Sequence, residues 1–514
     1  MSSRAVESPD SGAVAPPAEV SETHTAVVMF IGDHAYKVKK QVNLGFLDFV
    51  PVEARRAACE RETILNRRFS PDVYEGVAEI SFPWGGAPEP IVVMRRLPAA
   101  RRLAHLVSLG APVDDALRQV ARVLATCHAQ SPRKPVIAHE GTRDALLARW
   151  EAGFEQIHGL GVRKPLRDME EIEFLVRRYL KGRKNVLDSR IREGRVVDGH
   201  GDLLAQDIFC LDDGPRVLDC LEFDDTLRYV DGLDDAAFLT MDLEQLGAPD
   251  AAAFFLARYS EYSGDPAPPS LRHHYVAYRA FVRAKVSLLR AHQCASAAEA
   301  EAFRAEAERF ANMTVRHLRT SAVRLLLVGG LPASGKSTLA GALADRLGLT
   351  LLSSDRVRKE LAGIPPEQAA PAEYERGVYT PVWTRRTYGE LIERASVLLS
   401  AGESVVIDAT WNSEDRRNAA IKAAEECHAE LIPLRCEVPR EVAERRLARR
   451  PPGPSDAGPS VAEAMAAAAD PWPEAVTVDT SGTLAAAVEH AVAVVRPDGG
   501  ERMTLFRRPY MMAD

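Results

Sequence analysis

RLLLVGGLPASGKST, residues 324–338, is the stretch on which the fold turns. Leu325 to Val328 is an apolar run that predicts a short buried strand. Gly330-Leu331-Pro332-Ala333-Ser334-Gly335-Lys336-Ser337 follows and fits G-x-x-x-x-G-K-[ST], and Thr338 to Leu347 continues with helical spacing. A strand, a glycine loop and a helix in that order form the setting a phosphate-binding loop requires. Glycines let backbone N–H groups close around an anion without an obstructing Cβ, and the helix start adds its positive dipole end. Lys336 would then neutralise terminal phosphates and Ser337 would hold Mg²⁺, with residues Gly330 to Thr338 lining the nucleotide. A chance glycine turn explains any one of these residues but not the whole pattern.

The chain of 514 residues is long enough for two to four domains, and 46% hydrophobic with 27% charged residues is ordinary globular composition. A net charge of −8 argues against a nucleic-acid-coating surface. Seven cysteines without CxxC pairs point to reduced thiols and no zinc site. No run approaches the ~18 apolar residues of a membrane span. Residues 1–20 lack signal-peptide character and predict a disordered leader, so a cytoplasmic protein is expected.

Outward from the loop towards the N-terminus, Thr25 to Ile31 and Ala35 to Val42 are strand-like runs joined by Gly32-Asp33-His34, a hairpin signal. Lys37 and Lys39 share one face of the second strand, either aimed into a cleft or forming a solvated edge. An Arg/Glu-rich helix spans Val52 to Phe69 with Glu62 near its middle, and Ile91 to Met94 is a further strand. From Val113 to about Leu180 the pattern is helical, which suggests a small sheet on a helical body. Between Val197 and Glu244, Asp202 and Asp207 precede a hairpin turning at Asp212-Asp213-Gly214, and Asp219 ends its second strand. Three carboxylates gathered there suit Mg²⁺-nucleotide chemistry, one meeting an acceptor hydroxyl and the others holding metal. Asp231 and Asp235 fit either scaffold or site.

AYKVKKQVNLGFLDF, ERETILNRRF, VVMRRLP, HGDLLAQDIF and LDCLEFDDTLRYVDGLDDAAFLTMDLE resemble the aminoglycoside phosphotransferase and protein-kinase-like superfamily, over most of Thr23 to about Leu318. The resemblance is closest to a bacterial branch often fused to a P-loop kinase. It implies Asp202 as the catalytic carboxylate, Asp219 and Asp207 as metal ligands, Lys37 as the phosphate lysine and Glu62 as its helix partner. Two features depart from the superfamily's pattern: Asp207 stands where Asn is usual, and no glycine-rich loop precedes the hairpin. They leave open an active kinase with an abbreviated lobe or a degenerate, ligand-sensing one.

Towards the C-terminus, Leu349–Ser353, Ser404–Ile407, Glu430–Cys436 and Ala475–Val478 are strand candidates separated by helical patterns, which predicts a parallel sheet flanked by helices. Ligands then belong at the strands' carboxyl ends. Asp355 follows one strand, suited to accept an acceptor proton or to cap a helix, with Arg358 as an anion ligand. Asp408 closes another in the Walker B manner, a metal ligand or a strand-end cap. The basic helix Arg440–Arg450 and the loop PPGPSDAGPS predict a lid, with Arg446, Arg449 and Arg450 as candidate phosphate arginines and Arg449 assigned to catalysis. GLPASGKST, SSDRVRKEL, VVIDATW, RRLARR and SDA together resemble predicted P-loop kinases of the AAA-type or zeta-toxin-like kind, over about Arg324 to Val495.

The expectation is therefore a two-domain α/β protein: leader 1–20, a bilobal α+β protein-kinase-like domain 21–318, a P-loop kinase domain 319–498, and a tail 499–514. ATP and Mg²⁺ are the expected cofactors, and a small hydroxylated metabolite, sugar-like or aminoglycoside-like, the acceptor. The competing expectation is a P-loop ATPase gated by a ligand-sensing first domain. No membrane or nucleic-acid partner is expected.

Overall fold

The computed structural model describes residues 19–22, 25–43, 48–81, 87–162, 166–365, 368, 377–449 and 459–496. The expected leader lies outside them save Glu19 and Val20, as do the tail, Arg450 and nearly all of the expected lid loop.

The chain opens with a five-stranded antiparallel sheet of β1 (Glu19–Glu22), β2 (Ala26–Ile31), β3 (His34–Lys39), β4 (Tyr74–Ile80) and β5 (Glu89–Arg95), in the order β1-β2-β3-β5-β4. The β2–β3 hairpin turns at Gly32, whose φ of +58° suits glycine. Strand β1 precedes the hairpin and β4 follows the helix, so the lobe holds two strands more than the apolar pattern predicted. The helix Val52–Asn66 packs on this sheet over Cys59, Val73, Tyr74 and Val92. Arg55 fastens the helix by a bidentate pair with Glu89 at 2.5 and 2.6 Å.

A helical body follows, in which helices such as Asp114–Gln130, Arg143–His158, Gly232–Gln245 and Pro269–Gln293 enclose Leu117, Trp150, Phe238, Phe255 and Phe281. Four short strands insert between its helices: β6 (Val196–Asp198), β7 (Ile208–Leu211), β8 (Gly214–Val217) and β9 (Tyr229–Asp231). β7 and β8 form the predicted hairpin, and β6 pairs with β9. The long helix Ala297–Ser321 runs on past Leu318, so the join to the second half sits at Ala322 and Val323.

The second half is a parallel sheet of β10 (Arg324–Gly329), β11 (Thr350–Ser353), β12 (Val405–Asp408), β13 (Glu430–Glu437) and β14 (Val476–Asp479), ordered β11-β12-β10-β13-β14. Alternation along β10 serves both faces: Leu325 and Leu327 pack with Leu391, Leu399 and Trp411, while Leu326 and Val328 pack with Leu339, Leu343 and Val488. The expected fold class is thus the observed one. The halves abut without a free linker, through Arg183, Ser270 and Glu430. Among the described residues no helix is long and apolar enough to cross a membrane.

Candidate functional sites

The first site lies between the antiparallel sheet and the helical body. Lys37 on β3 pairs with Glu62 Oε1 at 2.8 Å and with Asp219 Oδ1 at 2.7 Å. Lys39, two residues along on the same face, reaches the other Glu62 oxygen at 2.6 Å and also contacts Glu222. Burial alone would lower the Lys37 pKa, but the carboxylates of Asp219, Glu62 and Glu222 outweigh it and hold the group charged. Half of the Asp219 side chain faces the cleft, and Lys37 holds its carboxyl down at about 2. Asp219 adopts φ +65°, a conformation rare outside glycine that Asp tolerates, and its N–H donates to the Tyr74 hydroxyl at 3.4 Å.

Asp202 and Asp207 precede β7, the latter ending the 3₁₀ turn Ala205–Asp207. Burial raises Asp202 to about 6, and burial with the carboxylates of Asp219 and Asp202 raises Asp207 to about 8. The carboxylates of Asp202 and Asp219 thus disfavour ionisation of Asp207, and Asp219 disfavours that of Asp202. Asp235 holds the loop that carries Asp202. Its oxygens accept from the N–H groups of His200 at 2.7 Å and Gly201 at 2.8 Å, and meet His128 Nε2 at 2.9 Å. Asp242 accepts from Ala205 N–H at 2.8 Å. Gly199 permits this, since a Cβ there would lie 2.5 Å from Asp235 Oδ2. Asp231 caps the helix Gly232–Gln245 and pairs with Arg190 at 2.5 Å. Both residues thus occupy scaffold positions. Glu222 and Asp242 escaped the sequence reading, and Lys39, read with Lys37 as either a cleft or an edge residue, proves buried against Glu62 and Glu222.

The second site lies at the carboxyl ends of β10 and β12. Gly330 (φ +139°), Ala333 (φ +64°) and Gly335 (φ +85°) shape its loop. A Cβ on Gly330 would meet Ser334 Oγ at 2.5 Å and the Cys436 carbonyl at 2.7 Å, so the loop closes only around glycine. The register sets Asp408 beside Val328 and Ser353. Asp408 is 5% exposed; Lys336, Ser337 and Asp355 act on its carboxylate, whose pKa burial raises against the pull of Lys336. Its Oδ1 is a buried acceptor without a partner, and so is Ser334 Oγ. Asp355 sits in the first turn of the helix Ser354–Leu361, after an N-cap position held by Ser353.

Arg358 is occupied by the Val378 carbonyl at 3.1 Å and the Thr384 hydroxyl at 3.2 Å, over the Tyr379 ring. Arg446 reaches the loop and donates to the carbonyls of Ala333 at 3.3 Å and Thr480 at 2.7 Å. Thr480 Oγ1 donates to the Ser334 carbonyl, a strut no motif announced. Arg449 is exposed at the end of the helix Arg440–Ala448, so Arg446 and not Arg449 touches the loop. Leu331, Pro332 and Thr338 complete the loop and the helix start that follows.

The donor sets fit a magnesium nucleotide. In the second site the orphaned Asp408 oxygen and the Ser337 hydroxyl would hold the cation, and Lys336 with the loop N–H groups the phosphates. In the first, Asp207 and Asp219 would hold it and Lys37 the phosphates. Among the described residues no group of three or more His, Cys, Asp or Glu side chains is spaced to hold a metal by itself. Such a cation would take its other ligands from phosphate and water.

Residues 325–472 match the family described as AAA domain. An uncharacterized protein of Mycobacterium tuberculosis (strain ATCC 25618 / H37Rv) is 42% identical over 465 residues, 90% of this chain and 92% of the relative. Among solved structures, a sugar kinase from Janibacter sp. is 19% identical with a TM-score of 0.27, covering 34% of this chain and 94% of its own. A choline/ethanolamine kinase family protein from Mesorhizobium loti is 15% identical with a TM-score of 0.36, covering 60% and 94%.

Proposed function

We propose, for a chain that belongs to the family of its full-length mycobacterial relative, an ATP-dependent phosphotransferase acting on a hydroxyl of a small metabolite. The observation that carries it is the second site, where the glycine loop, Lys336, Ser337 and a buried, unpartnered Asp408 oxygen converge. Bound ATP with Mg²⁺ would supply the phosphoryl group and its electrophilic activation. The loop N–H groups and Lys336 would bind phosphate and stabilise charge, Asp408 and Ser337 would fix the cation, and Asp355 would take the acceptor proton. Catalysis would rest on positioning. The first domain, residues 21–318, would carry a second such site, with Asp202 as base and Lys37 on phosphate. Residues 319–498 would form the P-loop domain.

A second reading, a first domain that senses a ligand and gates the other, is favoured by Asp207. Asp207 stands where the superfamily has Asn, and burial with the carboxylates of Asp219 and Asp202 disfavours its ionisation, so a metal held there brings an additional negative charge beside the phosphates. Turnover of MgATP by the full chain, with and without sugars and aminoglycosides, decides between them. Lys336→Ala should abolish the P-loop activity, and Asp202→Ala should remove a separate acceptor-dependent activity. If only Lys336→Ala matters, the sensing reading stands; if no acceptor stimulates turnover in any protein, the phosphotransferase fails.

A further inference from the structure

Glu62 is fully buried and carries a lysine on each oxygen, Lys37 at 2.8 Å and Lys39 at 2.6 Å. The two cations differ in reach. Lys37 also touches Asp219, whose side chain opens to the cleft, so a phosphate entering there competes for it. Lys39 is 2% exposed, lies under the Phe49 ring with 5.7 Å to its centroid, and spends its remaining contact on Glu222. A buried ammonium is tolerated only when paired, and each of its carboxylates belongs to a different element: Glu62 to the helix Val52–Asn66, Glu222 to the segment three residues past Asp219.

We propose that Lys39 is a positioning residue: by joining Glu62 Oε2 to Glu222 it fixes the Glu62 oxygen that aims Lys37 at bound phosphate. The proposal rests on the reading that Lys37 meets nucleotide phosphate, and it adds that this aim is independent of the ligand. When phosphate draws Lys37 away from Asp219, Glu62 keeps a second cation that the ligand cannot reach. The helix Val52–Asn66 is therefore held against β3 with or without nucleotide, since moving it outward breaks the Lys39–Glu62 pair.

The test uses the full chain carrying Lys336→Ala, so that nucleotide binding reports on the first cleft, with Lys39→Met and Lys39→Arg added singly. Hydrogen exchange without nucleotide should quicken in residues 52–66 and 219–222 of Lys39→Met and return towards the parent rate in Lys39→Arg. MgATP affinity should weaken roughly tenfold or more in Lys39→Met, as expected when one partner of a buried ion pair is removed, and adenosine affinity should not change. A general loss of structure would weaken both ligands. Unchanged exchange in Lys39→Met overturns the proposal, and so does equal weakening of adenosine and MgATP. If the parent binds no MgATP yet Lys39→Met quickens exchange, the anchoring stands and the nucleotide reading of the first cleft falls.

Discussion

Burial lifts the Asp202 carboxyl from an ordinary 3.8 to about 6, with Asp219 and Asp242 adding to the rise and Arg283 and Arg279 opposing it. The folded protein thus binds this proton more tightly than the unfolded chain, and ionising Asp202 costs stability as pH climbs from about 4 to 6. A shift of that size corresponds to ~3 kcal/mol of strain at pH 8. Asp202→Asn should therefore raise the denaturation midpoint at pH 8 and leave it unchanged near pH 4, while abolishing first-domain turnover. In the parent, acceptor kcat/KM should fall as pH drops below about 6, because a base must be unprotonated to act. A gain in stability that is the same at both pH values would show that Asp202 is not the strained acid. Gly330 makes a companion case in the other site. Its φ of +139° and the 2.7 Å approach of the Cys436 carbonyl leave no room for a methyl group. Strain of about 1–3 kcal/mol should weaken MgATP binding to the second site by roughly ten- to a hundredfold in Gly330→Ala, read by titration calorimetry in an Asp202→Ala background.

At the scale of elements, one carboxylate organises the loop that presents Asp202. Asp235 is wholly buried and held well below the ordinary carboxylate range: its burial is outweighed by the hydrogen bond and charge of His128 and by the charge and backbone N–H of His200. Asp235→Ala leaves two buried N–H donors and His128 without their acceptor, which should cost ~3 kcal/mol or more. Asp235→Asn, which keeps one acceptor oxygen, should lose less. Urea denaturation compares them, and equal losses would mean packing and not hydrogen bonding sets the value. The sequence made much of this architecture legible. β10 and β12 are apolar runs because both faces are covered, and the β7–β8 hairpin declares its turn at Asp213-Gly214. β1 could not be read: Glu-Val-Ser-Glu is exposed at every position, and only pairing with β2 makes it a strand. Asp235 was ambiguous for a related reason, as its partners lie 34 and 35 residues away, a separation that no local pattern encodes. Arg446 and Arg449 stand three apart in one basic run, the first in the helix Arg440–Ala448 and the second just past it, and sequence offers nothing to choose between them.

For the whole molecule, the question is what makes two halves one body. Arg183 is 1% exposed and donates to the carbonyls of Leu399 and, at 3.0 Å, Cys427. Those carbonyls lie at the C-terminal ends of the helices Pro381–Ser400 and Glu414–Glu426, where unpaired C=O groups and the dipole favour a cation. One arginine of the helical body therefore caps two helices of the P-loop half. Ser270 adds a bond to the Gly402 carbonyl at 2.7 Å, and Gly182 lets the backbones approach, since a Cβ would lie 2.6 Å from the Cys427 carbonyl. Arg178 meets Glu430 at 2.9 Å across the same seam, but both side chains are 27% exposed, so that pair should contribute less than ~1 kcal/mol. Arg183→Ala takes the side-chain donor from the Cys427 carbonyl, leaves the Leu399 carbonyl only its backbone N–H partners, and opens a cavity, a loss of ~2 kcal/mol or more concentrated at the seam. Calorimetry of the unmodified chain should show one joint transition, and Arg183→Ala should split it, with the P-loop half melting apart from the helical body. Arg178→Ala should leave the single transition intact. A split in both variants would place the coupling in general surface charge, and a split in neither would place it in the apolar packing around Leu318 and Val323.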